Sequence, residues 1–275
     1  MAHSVDASPL GQKTAYVSSY DASLLFPIVR NESRKALGIS ANLPFYGYDI
    51  WTGYELSWLN SKGKPEVAVA EFKIPCHSPC IIESKSFKLY LNSFNQTRFF
   101  SLDEVQSILL KDLSKVAGVA IEVQLHQLGR SNLLIDAAYD ALCLDELDIE
   151  VDSYHPDPSL LAADASQEVK EILCSHLLKS NCPVTGQPDW ASLFVEYSGA
   201  KISHESLLRY VISFREHQDF HEHCVERIFV DLWRVCKPDN LSVYARYTRR
   251  GGLDINPFRS SKIAMGPRIG RLIRQ

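Results

Sequence analysis

Apolar residues recur at helical spacing in two places along the chain, and the two places are alike. Phe87, Tyr90, Leu91 and Phe94 stand at i, i+3, i+4 and i+7, and Leu207, Tyr210, Val211 and Phe214 repeat that spacing. Each stretch predicts an amphipathic helix. A second helix follows in both places. The first of these opens with the capping box "SLDE" at Ser101 and carries Val105, Ile108, Leu109, Leu113 and Val116 on its apolar face. The other carries Val225, Ile228, Phe229, Leu232, Trp233 and Cys236 and stops at Lys237 and Pro238. Strand-like alternation then takes over, with Val119, Ile121, Val123 and Leu125 in one half and Val243, Ala245 and Tyr247 in the other. Upstream of the helices, "EVAVAEFKI" and "SLFVEYSG" also read as strands.

One offset of 120 residues relates the halves: Tyr90 falls on Tyr210, Phe100 on Phe220, Val105 on Val225, Ile108 on Ile228, Val123 on Val243 and Arg130 on Arg250. The expected fold is therefore a duplicated α+β unit, an antiparallel sheet with two helices in each module, divided into residues 1–150 and 151–275. The acidic, Lys- and Arg-free stretch from Ala137 to Pro158 runs into the segment "VDSYHPDPSLLAADASQE", whose prolines, Asp, Ser and Ala read as a linker. With no β-α-β alternation and no G-x-G-x-x-G, a doubly wound nucleotide site is not expected. The repeat also fails informatively. The first cysteine is Cys76, so the strand-forming part of the first half has no counterpart of Cys182, while "HESLLRY" in the second half lacks both lysines of "ESKSFKLY". Duplication followed by division of labour across one composite site would leave this pattern.

Composition narrows the class. The 275 residues are 45% hydrophobic and 23% charged, as in an ordinary globular protein. The start lacks a basic patch followed by an apolar run, and no stretch approaches the roughly 18 apolar residues of a membrane span, so a cytoplasmic protein is expected. Seven scattered cysteines suit neither a disulfide framework nor a paired metal motif, and Cys143, Cys174 and Cys236 are expected to be reduced and buried. A net charge of −4 predicts no general attraction to nucleic acid. The tail from Arg246 is nevertheless basic, with Arg249, Arg250, Arg259, Lys262, Arg268, Arg271 and Arg274 against the single acid Asp254. It suits a phosphate-bearing ligand, although a solvated face or a subunit contact explains it as well.

Four polar clusters carry candidate chemistry. In "IIESKSFKLYLNSF", Glu83, Ser84 and Lys85 fall at a helix start, where free amides favour an anion, and Lys85 and Lys88 share a face. The same lysines also suit the wet side of an amphipathic helix. In "QDFHEHCVERIF", Glu222 is placed to accept N–H bonds from an amidine-like edge and His221 to move protons, or the two cap a helix. A zinc site from His221, His223 and Cys224 is disfavoured, because adjacent His223 and Cys224 suit one ion poorly. In "YTRRGGLDINPFRS", two arginines precede glycines that let the backbone turn close to a phosphate, or close a strand end. In "SNCPVTGQPDWASL", Cys182 sits on a turn stiffened by two prolines, with Asp189 seven residues on.

In this order, "ESKSFKLYLNSFNQ", "SNCPVTGQPDWASL", "FHEHCVERI" and "RRGGLDINP" resemble the NADPH-dependent 7-cyano-7-deazaguanine reductases, the nitrile reductases of queuosine biosynthesis, in their long two-module form. The likeness runs from about Pro44 to Phe258. It implies two tandem tunnelling-fold modules, with Cys182 as the nucleophile that forms a thioimide and Asp189 as the acid that protonates the nitrile nitrogen. That role requires Asp189 as a carboxylic acid, a form that burial favours. The resemblance further implies that Glu222 and Glu83 hold the heterocycle, with Ser84, Lys85 and His221 beside it and Phe220 packed on it. Lys85, Ser86, Arg250 and Gly251 correspond to NADPH-binding positions. Two NADPH are used per turnover, no metal is implied, and exposed sheet edges make a homodimer the expected assembly. Two other readings stay open. One is a GTP cyclohydrolase-like or pterin-processing enzyme of the same fold, and the other is a non-catalytic purine-binding module, which would keep Glu222 without needing Cys182.

Overall fold

The computed structural model describes residues 17–40, 42–128, 140–263, 270–272 and 274–275. Arg130 and Arg268 lie outside the described residues. The chain forms two compact units, the first from Met1–Ala36, Tyr48–Asn132 and Arg249–Ile255, the second from Leu37–Gly47, Leu133–Thr248 and Asn256–Gln275. A single cut after residue 150 would leave "RRGG" with the second module, whereas Arg249–Ile255 pack with the first unit.

The first unit runs β1 (Pro27–Val29), α1 (Asn31–Ala36), β2 (Tyr46–Leu59), β3 (Pro65–Pro75), β4 (Cys80–Ile82), α2 (Ser84–Ser93), α3 (Leu102–Ala117) and β5 (Glu122–Gln127). β3 pairs antiparallel with both β2 and β5, and β1 pairs antiparallel with β4. The strands turn Trp51, Phe72 and Ile74 into a core shared with Phe87, Tyr90 and Phe94 of α2 and Val105, Leu109 and Leu113 of α3. Phe87 meets Trp51 and Phe72 edge to face, with ring centroids 5.1 and 5.0 Å apart. Half of the capping box forms at α3, since Ser101 Oγ accepts from Glu104 N at 3.1 Å, while the Glu104 carboxylate reaches past the cap to Phe100 N.

The second unit continues with β6 (Leu142–Cys143), β7 (Ala163–Asn181), β8 (Pro188–Ile202), α4 (His204–Ser213), α5 (His221–Val235), β9 (Asn240–Tyr247) and β10 (Leu253–Ser260), of which Asn256–Ser260 belong to this unit. β7, β8 and β9 form an antiparallel series, β10 adds antiparallel to β9, and β6 runs parallel to β7. Leu207, Val211, Val225, Ile228, Phe229 and Leu232 are all buried, as their spacing predicts.

The repeat is exact at its first helix, since α2 and α4 both have ten residues and differ by the 120-residue offset. Each unit also pins its two helices with one bond. The Tyr90 hydroxyl donates to Asp112 in the first, and the Tyr210 hydroxyl donates to Asp231 in the second. Two expectations need correction. Residues 163–168, read as linker, are the exposed start of β7, where Asp164 accepts from Ser166 and Gln167 across a register shift, so their turn-forming chemistry serves a bulge. Cys143 is exposed rather than buried, whereas Cys174 and Cys236 are buried as expected. Among the described residues, no helix is long and apolar enough to cross a membrane.

Candidate active site

The β7–β8 hairpin displays the cysteine. Ser180 stands opposite Asp189 and Asn181 opposite Pro188; beyond them, Cys182 N donates to Gln187 O at 2.9 Å and Gly186 N to Cys182 O at 3.0 Å. Gly186 has φ 66°, a left-handed turn conformation that suits glycine. Cys182 pairs across from Gln187, so Asp189 takes the diagonal position, and such neighbours on one face stand roughly 7–8 Å apart. Both side chains are buried, each 5% exposed.

A second contact brings up the histidine. Asn181 N donates to His217 O and Asp219 N donates to Asn181 O, so the strand end before Cys182 is laced to the loop before α5. The Asp219 carboxylate accepts from Phe220 N at 2.8 Å and bonds His223 Nδ1 at 3.0 Å, with His217 Nε2 3.6 Å away. Burial works against the ionised Asp219, but the neighbouring His217 and the bond with His223 outweigh it and hold the carboxyl well below the usual range. Fixed in this way, His221 opens α5 with Nε2 3.3 Å from Asp189 Oδ2. Its ring stacks on Tyr247, whose strand position is opposite Ala191, two residues beyond Asp189. Glu222 follows, buried in the first turn of α5, where the helix dipole favours a carboxylate. Phe220 is half-buried, its ring edge-on to His223. Cys224 is fully buried, and burial followed by the nearby Asp219 charge pushes its thiol well up, so it is no rival nucleophile.

The remaining predicted residues lie in the first unit. Glu83 is the N-cap of α2, and its two carboxylate oxygens accept from Lys85 N and Ser86 N, each at 2.7 Å. The amides expected to cradle a phosphate are thus filled by the chain's own carboxylate. Burial raises the Glu83 carboxyl, against those two bonds and the nearby lysines. Ser86 is fully buried, its hydroxyl donating to Glu83 O and accepting from Phe26 N, so it shapes the helix start. Ser84 and Lys85 are half-buried. The Arg249–Gly252 turn closes with reciprocal bonds between Arg250 and Leu253. Gly251 and Gly252 have φ of 55° and 68°, and a Cβ on Gly252 would come within 2.3 Å of Glu55. A Cβ on Gly251 would touch Lys88 at 3.4 Å, so this turn packs on the lysine face of α2. Lys85, Lys88, Arg249 and Arg250 therefore supply a cationic donor set within one unit, which fits the phosphates of a dinucleotide cofactor.

Sequence reasoning gave no role to Tyr247 or to the Asn181–Asp219 lacing. Tyr247 ends an alternating Val243, Ala245, Tyr247 series, which marks it as inward-facing, but its stacking partner depends on strand order.

Residues 16–125 match a family described as nitrile reductase, 7-cyano-7-deazaguanine-reductase N-term, and residues 188–265 match the QueF-like protein family. The chain is 56% identical over 272 residues to the NADPH-dependent 7-cyano-7-deazaguanine reductase of Burkholderia vietnamiensis, covering 98% of each chain. It is 57% identical over the same length and coverage to the enzyme of that name from Burkholderia multivorans. The apo crystal structure of the archaeosine synthase QueF-Like aligns at TM-score 0.31 and 20% identity, over 35% of this chain and 96% of that one, too slight a likeness to build on.

Proposed function

The chain belongs to the family of NADPH-dependent 7-cyano-7-deazaguanine reductases, and we propose that it works through a covalent thioimide on Cys182. It reduces the nitrile of 7-cyano-7-deazaguanine to an aminomethyl group, a step of queuosine biosynthesis. A nitrile carbon is a weak electrophile. When the Cys182 thiolate adds to it, the C–S bond forms, a C–N π pair moves to nitrogen, and that nitrogen takes a proton. Asp189 is the donor of that proton, and His221, 3.3 Å away, is placed to replace it. NADPH, when bound, supplies hydride, and two hydrides with two protons take a nitrile to a primary amine. Cys182 is released as thiolate when the C–S bond breaks between the two reductions, and His221 and Asp189 serve the proton transfers of both.

The observation that carries this reading is the contact between buried Asp189, on the hairpin that presents Cys182, and half-buried His221 at the start of α5. Glu222 binds the guanine-like edge and Phe220 packs on the ring, and the family resemblance also assigns Glu83, Ser84 and Lys85 to substrate binding. Lys85, Arg250 and Gly251 meet the NADPH phosphates, supported by the cationic set on α2 and the glycine turn. Ser86 contributes by holding Glu83 and the α2 start. The substrate is the free base rather than a nucleic acid, and a cytoplasmic homodimer is the assembly we expect.

Protein mixed with 7-cyano-7-deazaguanine without NADPH should gain the mass of one substrate, mapped to the Cys182 peptide, and lose it when NADPH is added. Cys182→Ala and Cys182→Ser should form no adduct while still binding the base. Absence of the wild-type adduct, or its arrival on Cys76, Cys80 or Cys224, would overturn the thioimide.

A further inference from the structure

Cys143 and Cys174 are far apart in sequence, but β6 runs parallel to β7 and sets them directly opposite each other. Opposed residues of a strand pair project to one face, and so do residues two apart on one strand, which brings in His176. One sulfur of each cysteine and one ring nitrogen of His176 all lie within 4.8 Å of one another. Ligands of a tetrahedral zinc, at about 2.3 Å for sulfur and 2.0 Å for nitrogen, stand roughly 3.5–3.8 Å apart. Cys143 and His176 are exposed, so a modest side-chain rotation reaches that spacing.

The surroundings hold this arrangement in place. His176 Nδ1 bonds Ser192 Oγ at 2.8 Å, the kind of outer contact that fixes the ring of a metal-binding histidine. Asp145 accepts from both Ser175 Oγ and His176 N, and Arg274 donates to His176 O. These bonds brace the backbone where the β7–β8 register breaks between Ser175 and Leu178, a bulge that re-aims side chains.

We propose that Cys143, Cys174 and His176 form a binding site for a thiolate-seeking divalent cation of the zinc class, with water as fourth ligand. Two sulfurs and an imidazole select such an ion over magnesium or calcium. Binding releases the two thiol protons to solvent and consumes no redox equivalent. Cys174 and Cys182 are separated by up to about 26 Å of strand, so the ion ties the two-residue β6 to β7 and takes no part in nitrile chemistry.

The test is a zinc titration of the reduced, metal-free full chain against a chromophoric chelator, repeated with cobalt(II). Wild type and Cys182→Ala should each bind one equivalent, show thiolate-to-cobalt charge-transfer absorption, and melt at a higher temperature when zinc is saturating. Cys143→Ser and His176→Ala change exposed side chains, and each should weaken binding by more than about a hundredfold, beyond the range lost with an outer-shell partner. Unchanged affinity in Cys143→Ser, loss of binding in Cys182→Ala, or no thiolate band with cobalt would each overturn the site. So would recovery of Cys143 and Cys174 as a disulfide under the reducing conditions of the titration.

Discussion

The imidazole of His221 lies flat on the ring of Tyr247, with 3.8 Å between centroids and 8° between planes, while its Nε2 stands 3.3 Å from Asp189 Oδ2. Tyr247 is fully buried, and its backbone is held on both sides of its Cα, N–H donating to Asn256 and C=O accepting from Gln275. A rigid ring therefore sets the plane in which the imidazole can turn, and with it the aim of Nε2.

Tyr247→Phe keeps the stacking surface and should retain turnover within about threefold. Tyr247→Ala leaves His221 free to rotate and should lower kcat by roughly ten- to a hundredfold with a smaller change in the nitrile KM, as loss of catalytic alignment does. Steady-state kinetics of the two variants decide the point. Equal losses in Phe and Ala would assign the effect to the hydroxyl instead.

Asp189→Asn preserves shape but removes the transferable proton. Turnover should fall by about a hundredfold or more, the range lost with a general acid, while the thermal midpoint stays near wild type. Adduct formation on Cys182 should slow in parallel when followed by mass spectrometry without NADPH. An Asn variant that forms adduct at the wild-type rate would mean that the nitrile nitrogen takes its proton elsewhere.

The helices and the duplication were legible because a 3.6-residue apolar period, a capping box and a constant offset are all local signals, as Ser101 and the α2–α4 match illustrate. The start of β7 was not, because an exposed strand needs no apolar residues and Asp164, Ser166 and Gln167 read as turn formers. Motif resemblance picked out Cys182, Asp189, His221 and Glu222, and hairpin register accounts for why the first two are neighbours. The Tyr247 stack and the opposition of Cys143 to Cys174 depend on which strands pair, and parallel pairing leaves no local mark in the sequence. Glu83 shows a different limit. A glutamate before a helix reads as ligand-binding or capping, and the capping bonds to Lys85 N and Ser86 N, which leave the proposed hold on the heterocycle open, emerge only from the folded chain.

Because Glu83 fills the α2 amides, the phosphate binding we propose falls to side chains. Arg250→Ala should raise the KM for NADPH by roughly ten- to a hundredfold, the worth of a charge-assisted bond to phosphate. Affinity for the nitrile, measured by calorimetry on Cys182→Ala so that no adduct forms, should change by less than about threefold. Equal loss for both ligands would remove Arg250 from the cofactor side.

Asp219 offers a test of how the loop before α5 is held. Burial raises its carboxyl, but the neighbouring His217 and the bond with His223 outweigh that and hold it below the usual value of 3.8. A carboxyl with a depressed folded-state pKa contributes stability that is fully present above the unfolded value and is lost as pH falls through the folded one. Asp219→Asn cannot titrate and keeps only part of the bonding to Phe220 N and His223. At neutral pH it should be less stable than wild type by about 1–2 kcal/mol, the cost of disrupting a half-buried hydrogen-bonded carboxylate. Below about pH 4 the wild type progressively loses this advantage, so the gap between the two denaturation midpoints should narrow as pH falls. Since Asp219 N also donates to Asn181 O beside Cys182, the variant should slow adduct formation as well as melt earlier. A gap that widens in acid would mean that Asp219 is not the ionised anchor of this loop.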